Sequence, residues 1–275
     1  MLFAVGLFAE ENTPINQPDP QEIVRSVAST YQRNIDAAAD YTFQQRSITR
    51  EFDKNGNVTK TRTRTYETVF LFGEQYRKLI AIDDKPLNKS DLKREERRLN
   101  TFFNKRKEMS DADRAKKKES TEQTFMREIG DELPYILNYE IIGEEMIDGQ
   151  PVWVIQATPK NNYKPKSRTG KMFSKLSGKV WVTKDDYTWV KLEADFAEDF
   201  SVGGFLFKIR KGSRIEIEST LINDEVWLPR RSSINGNVRA LWSVTRPHAE
   251  TIYSRYEKFV SDAKITYPGN FPDQE

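Results

Sequence analysis

The segment DGQPVWVIQATPK, Asp148 to Lys160, decides the fold class of this chain. Asp148-Gly149 is a tight-turn signal, and the apolar strand that follows ends at Pro159. The middle of this strand, Val152 to Ile155, is apolar on both faces, so each face needs a covering layer. None of these four side chains is a nucleophile, an acid or a metal ligand. The segment therefore predicts a buried strand in a layered β-rich protein.

The composition of the whole chain limits the function classes. Its 275 residues suffice for one large β-rich domain with a substantial core. The 12% aromatic content argues against general disorder, and the net charge of +2 excludes a chain-wide basic surface. We therefore expect no nucleic-acid partner. Cysteine is absent, which excludes disulfides, thiolate catalysis, cysteine-based zinc sites and a lipid-modified N-terminal cysteine.

Periodicity predicts one helix followed by many strands. Asp19-Pro20 is typical of a helix start, and apolar residues at helical spacing predict about five turns after it. From Tyr41 the period changes to two. The predicted strands lie at about 41–52, 58–72, 75–82, 140–147, 151–158, 178–183, 188–196, 205–222, 226–235, 238–246 and 249–259.

The short connections between these strands predict antiparallel pairing of neighbours. About eleven strands are too many for a comfortable flat sheet. We therefore predict an α+β fold with a curved antiparallel sheet that forms an unclosed β-barrel.

Residues 88–137 interrupt the strands as a helical insert. Asn88 can cap a first, highly charged helix, and a second helix is predicted at about 121–137. The dense charge of the insert is typical of a solvated helix face, and contact with phosphate or anionic lipid is the alternative.

Few residues point to chemistry. The chain has no nucleotide-binding, zinc-protease or serine-hydrolase motif, and its single histidine, His248, suits an ordinary surface or half-buried position. Of two acidic clusters, one is a turn and the other lacks the spaced oxygen ligands of a calcium loop: Asp185-Asp186, and Asp195 with Glu198 and Asp199. We expect no metal and no cofactor. Paired carboxylates on separate strands remain open as an alternative.

Apolar strand residues are the stronger candidates for a site. We predict that one set lines a hollow large enough for an acyl chain: Trp153, Ile155, Trp181, Leu192, Phe196, Phe207 and Ile209. An ordinary packed core against the helices is the alternative. Basic residues on the second strand and in the 160–177 loop are candidates for contact with a head group or membrane: Arg62, Arg64, Lys164, Lys166 and Arg168.

The N-terminus, MLFAVGLFAEENTP, predicts export. Leu2 to Ala9 is too short to span a membrane and resembles the apolar core and cleavage zone of a secretory signal. We expect residues 1–19 to be an export-signal remnant and linker, 20–265 to be a single domain containing the insert, and 266–275 to be a tail. The predicted location is the periplasm or cell envelope.

The opening segment also carries a family resemblance, together with the later hairpin GKVWVTKDDYTWVKLEADF, Gly178 to Phe196. Both resemble the LolA-like outer-membrane lipoprotein-sorting proteins and their LolB and RseB-type relatives. The order of elements is similar as well, over about residues 20–262. The resemblance implies an unclosed barrel with helices as a lid, and a hydrophobic cavity that carries acyl chains of lipids or lipoproteins through the periplasm.

On this basis we expect a non-catalytic, monomeric carrier or sensor. Its expected partners are a lipid or lipoprotein acyl chain and envelope membrane proteins. A solidly packed envelope module without a ligand is one alternative, and a carboxylate-dependent enzyme on the same scaffold is another.

Overall fold

The computed structural model describes residues 18–53, 55–72, 74–110, 112–113, 130–202, 207–240 and 243–258. The helices are α1 (Pro20–Ala38), α2 (Lys89–Lys107) and α3 (Arg168–Phe173), with a further helical segment at residues 130–136. The strands are β1 (Tyr41–Phe52), β2 (Val58–Leu71), β3 (Glu74–Ile82), β4 (Lys85–Pro86), β5 (Leu137–Ile147), β6 (Gln150–Pro159), β7 (Leu176–Thr183), β8 (Trp189–Phe196), β9 (Phe200–Val202), β10 (Phe207–Ile209), β11 (Arg214–Ile222), β12 (Val226–Asn235), β13 (Val238–Ala240), β14 (Ser243–Thr245) and β15 (His248–Lys258).

Eleven strands form one antiparallel sheet in the order β4-β3-β2-β1-β15-β12-β11-β8-β7-β6-β5. The sheet is strongly curled. Asp148, in the β5–β6 turn, accepts hydrogen bonds from the Thr220 hydroxyl at 2.6 Å and the Leu221 amide at 3.0 Å. Both donors are on β11, three strand spacings from β6, or about 14 Å in a flat sheet. β4 and β5 remain the two ends of the sheet, which confirms the predicted α+β fold with an unclosed barrel.

A second sheet of four short strands, β14-β13-β10-β9, was not predicted. The sequence predicted single strands over 205–222 and 238–246, but each contains two shorter strands. The first is broken at Gly212, whose φ of +82° belongs to a turn and not to an extended strand. The prediction that both ranges form strands is confirmed, whereas the break at Gly212 was not predicted.

Helix α1 lies across one face of the large sheet. The Asp19 side chain accepts a hydrogen bond from the Gln21 amide, as an N-cap residue should. Ile23 packs against Trp153 near the start of the helix. Near its end, the Asn34 amide group bonds both backbone groups of Trp227, at 2.9 and 3.2 Å. We call the side of the sheet that contacts α1 the α1 face.

Helix α2 covers the edge of the sheet at β3. The Glu95 carboxylate accepts hydrogen bonds from the Leu79 amide at 3.2 Å and from the Tyr76 hydroxyl at 2.8 Å. Arg98 bonds Glu95 at 2.8 Å and donates to the Arg77 carbonyl. This Glu–Arg pair therefore satisfies β3 main-chain groups that a further strand would otherwise satisfy.

The two apolar faces of β6 are covered differently. Trp153 and Ile155 lie on the α1 face, in a cluster with Ile23 of α1 and Val182 of β7. Val152 and Val154 lie on the opposite face, in a second cluster with Trp181, Val190 and Trp227. The double-sided strand is thus buried by a helix on one side and by the curled sheet on the other.

The predicted division of the chain stays a prediction, since residues 1–17 and 259–275 lie outside the described residues. The same holds for most of the predicted helix at 121–137, of which 130–136 is described and helical. Within the described ranges, no helix has both the length and the apolar composition needed to cross a membrane.

Candidate functional site

An apolar cavity of about 410 Å³ lies between the α1 face of the sheet and its helical cover. Val24, Val27 and Tyr31 of α1 line one side. Leu133, from the helical segment 130–136, and Phe173 of α3 complete the cover. Residues of β5 to β8 and β11 form the floor. The insert thus contributes differently along its length: α2 covers the β3 edge, whereas the 130–136 segment covers the cavity.

The floor is hollow because its central side chains are small. Ala157, Gly178 and Ala194 are directly paired across β6, β7 and β8, so they share one face. All three line the cavity. Gly178 also allows close approach of the strands, because a Cβ there would lie 2.6 Å from the Ala194 Cα. The two alanines therefore leave open the space that larger side chains would fill, and Gly178 adds no side chain between them.

Two hydrogen-bonded contacts attach the 130–136 segment to its surroundings. The Tyr139 hydroxyl, on β5, donates to the Leu133 carbonyl at 2.5 Å, and burial raises the pKa of this tyrosine. The buried Glu132 carboxylate accepts from the amides of Lys166 and Ser167, at 3.0 and 2.8 Å, and from the Ser167 hydroxyl. Glu132 therefore connects the segment to the N-terminus of α3, and we call this contact the Glu132 latch.

Most of the predicted apolar residues lie in or beside this site. Leu192 lines the cavity directly. Trp153 and Ile155 pack next to it beneath α1. Phe196 and Ile209 belong to a cluster that includes three strand residues lining the cavity, Leu176, Leu192 and Ala194. The side chain of Phe207 is outside what the structure describes, so only its place on β10 is known. A role of these residues in binding stays a prediction.

Trp181 is the exception, because it lies on the opposite face. The register pairs Trp181 with Val154 and Lys191, whereas Trp153 is paired with Val182. Trp181 therefore packs in the second cluster, and its indole N–H donates to Glu145 at 2.9 Å. Its prediction as a cavity residue is wrong, because the sequence gives the alternation within each strand but not the register between strands.

The sequence interpretation also missed the small floor residues and the apolar residues on the helices. The predicted set consists of large apolar side chains, because such residues dominate burial. The cavity is instead indicated by small residues at matching positions of three consecutive strands. This pattern becomes visible only once those strands are aligned.

The predicted basic residues fall into two groups. Arg62 and Arg64 lie on β2, where they are exposed. Lys164, Lys166 and Arg168 are exposed on the β6–β7 connection. This connection was predicted as a basic loop but contains α3 and the Glu132 latch.

The acidic clusters and the histidine have local partners. Asp186 accepts hydrogen bonds from the Thr188 amide and hydroxyl, at 3.1 and 2.8 Å, as a turn aspartate does. Asp199 accepts from the Lys211 amide at 2.9 Å, which lowers the pKa of its carboxyl. His248 bonds the Asn235 side chain. In the described part of the chain, no group of three or more potential ligand side chains could hold a metal ion.

The fold can be compared with solved structures, although no protein-family model and no curated protein matches the sequence. A DUF1329 family protein from Desulfovibrio piger is 12% identical, over 90% of this chain and 96% of that chain, with a TM-score of 0.32. A LolA superfamily protein from Nitrosomonas europaea is 10% identical, over 89% of this chain and 95% of that chain, with a TM-score of 0.28. A putative outer-membrane lipoprotein-sorting protein domain from Vibrio parahaemolyticus is 10% identical, over 88% and 95%, with a TM-score of 0.29. The last two are of the kind that the sequence resembles.

Proposed function

We propose that this protein is a non-catalytic carrier or sensor that binds the acyl chain of a lipid or lipoprotein in the cavity, within the periplasm or cell envelope. The observation that carries the proposal is the cavity itself, which apolar side chains of the sheet and of three separate helical segments line. The resemblance of the sequence to lipoprotein-sorting proteins and its signal-like N-terminus support the proposed location.

The volume of the cavity suits a hydrocarbon chain. An apolar cavity of about 150 Å³ in another protein accommodates benzene, so about 410 Å³ has room for roughly sixteen carbon atoms. Burial of each methylene group contributes about 0.8 kcal/mol. We therefore expect affinity for a fatty acid to rise about fourfold with each added methylene and to level off once the chain fills the cavity.

Filling the cavity tests the proposal most directly. In Ala157→Phe the new ring enters the cavity from its floor. The affinity of this variant for a fluorescent fatty acid should therefore fall at least tenfold. Because the ring fills an existing space, the free energy of unfolding should stay unchanged or rise by about 1 kcal/mol. Thr158→Phe is the matched control, since Thr158 is the exposed neighbour on the other face of the same strand.

Two measurements decide the outcome. Native mass spectrometry of the purified wild-type protein should show a co-purified or added acyl lipid, and Ala157→Phe should lose it while Thr158→Phe retains it. Absence of acyl-lipid uptake by the wild-type protein would refute the proposal and favour a packed envelope module. Equal uptake by both variants would place the lipid elsewhere.

A further inference from the structure

The α1 face continues from the cavity to β2 along unbroken cross-strand rows. Directly paired residues share a face, so each row can be followed from strand to strand. One row runs through Leu192, Ile217, Ser232, Thr251, Ser47 and Arg64. The next runs through Ala194, Ile215, Ile234, Ala249, Thr49 and Arg62. Each row begins in the cavity and ends at an arginine.

The chemistry of the first row changes in one direction. Leu192 and Ile217 are apolar and line the cavity. The next three residues carry hydroxyl groups, two of which, Ser47 and Thr251, lie 3.1 Å apart. Arg64 then supplies a positive charge, four strand spacings or about 19 Å from Ile217 along the sheet. An amphiphile has the same order of an apolar chain, a hydrogen-bonding region and a charged group.

The surface between the cavity and the arginines is accessible. Ile234, in the middle of the second row, is 50% exposed although it is a large apolar side chain. Ser232, Thr251 and Ser47 are half-buried. α1 therefore covers only part of its own face.

The two arginines differ from those on the other side of the sheet. Arg214 bonds three carboxylates at 2.6 to 3.0 Å, and Arg231 bonds Glu250 at 2.9 Å. Among the described residues, Arg64 has neither an ion pair nor a hydrogen bond from its side chain. Within the same ranges, the only ion pair of Arg62 is with Glu51 at 3.6 Å, and the side chains of Arg62 and Glu51 are both about half exposed. Such an exposed pair contributes little, so both guanidinium groups are available to an anion.

We propose that Arg62 and Arg64 bind the phosphate head group of a single-chain anionic phospholipid whose acyl chain occupies the cavity. This inference rests on the proposed function and adds the class and orientation of the ligand. Arginine suits the role because its planar fork bonds two phosphate oxygens at once. The Lys164 to Arg168 region is the less suitable candidate. There the Glu132 carboxylate already occupies the amides of Lys166 and Ser167.

Two lipids and two double variants test the proposal. Lysophosphatidylglycerol and monoacylglycerol with the same myristoyl chain differ by a phosphoglycerol group, which carries the negative charge, and each is titrated by calorimetry below its micelle concentration. The test variant is Arg62→Gln/Arg64→Gln. The matched control is Lys93→Gln/Lys105→Gln, which removes two exposed positive charges from α2.

We expect the wild-type protein to bind the anionic lipid at least tenfold more tightly than the neutral one at 0.15 M salt. The arginine variant should lose this preference while its affinity for monoacylglycerol changes less than twofold, and the lysine variant should retain the preference. An equal affinity of the wild-type protein for both lipids would overturn the head-group assignment while leaving acyl binding intact. Binding of neither lipid would instead refute the proposed function. Inorganic phosphate alone should not bind measurably, and tight binding of it at the arginines would identify a free-anion site.

Discussion

Gly178→Ala should destabilise the protein strongly although it adds only one methyl group. An alanine Cβ at this position would lie 2.6 Å from the Ala194 Cα and 2.9 Å from the Glu193 carbonyl carbon, and closer still to the Glu193 oxygen. Ordinary contact begins at 3.4 Å, so β7 and β8 would have to separate by at least about 0.8 Å at the Ala194 Cα, and by more at the Glu193 oxygen. A ladder hydrogen bond of about 2.9 Å would then exceed its useful length.

The expected cost follows from these displacements. Two weakened ladder bonds contribute about 1 kcal/mol each, and overpacking adds at least about 1 kcal/mol, for a total of about 3 kcal/mol. In a protein of this size such a loss lowers the melting temperature by roughly 6–12 °C. Urea denaturation followed by tryptophan fluorescence measures the change in the free energy of unfolding.

The matched control is Gly143→Ala on β5. A Cβ there would meet no atom within 4 Å, and the backbone does not have a positive φ. This variant should be neutral or stabilised by about 0.5 kcal/mol, because alanine reduces the entropy of the unfolded chain. If Gly178→Ala is as stable as Gly143→Ala, the close packing of β7 against β8 is wrong, and with it the account of the cavity floor.

Two further predictions concern carboxylates. Glu132→Ala removes the acceptor of two main-chain amides, so it should cost about 2 kcal/mol and speed hydrogen exchange at residues 166–170; unchanged exchange would contradict the latch. Hydrogen bonds from Arg214 and Arg231 hold the pKa values of Glu216 and Glu250 below their ordinary value of 4.5. Their stabilisation is therefore complete above about pH 4.5 and is lost as the pH falls through the lowered values, so the urea midpoint should drop there. Glu250→Gln should lower the free energy of unfolding by about 1 kcal/mol at neutral pH and reduce the fall of the urea midpoint at acid pH. An unchanged acid profile would show that the Arg231–Glu250 ion pair does not contribute to stability.

Features set by short-range chemistry could be predicted from the sequence. Asp19-Pro20 starts α1, Asn88 caps α2, and Asp148-Gly149 forms the β5–β6 turn with both φ angles positive. Each depends on residues only a few positions apart, where one side chain bonds a nearby amide or a glycine permits an unusual backbone angle. The main strands were placed correctly for the same reason.

Features that depend on distant residues could not be predicted. The face of Trp181 follows from its pairing with Lys191, and β8 has an irregular register at that point. The Glu132 latch joins residues more than thirty positions apart, and no residue near Glu132 in the sequence indicates that its partners are Lys166 and Ser167. The cavity floor likewise needs three strands in the correct register. Binary patterning gives the alternation of each strand, whereas register arises from the whole sheet.

The cover that α2 provides for β3 affects how this protein can self-associate. Sheets polymerise by adding strands at open edges, and a fibre needs two open edges on each molecule. Here a helix closes one edge with a side-chain pair, while β5 pairs only with β6 within the described residues. Growth through the large sheet would therefore stop after two molecules met at β5, so the most that edge pairing of this sheet can produce is a closed dimer.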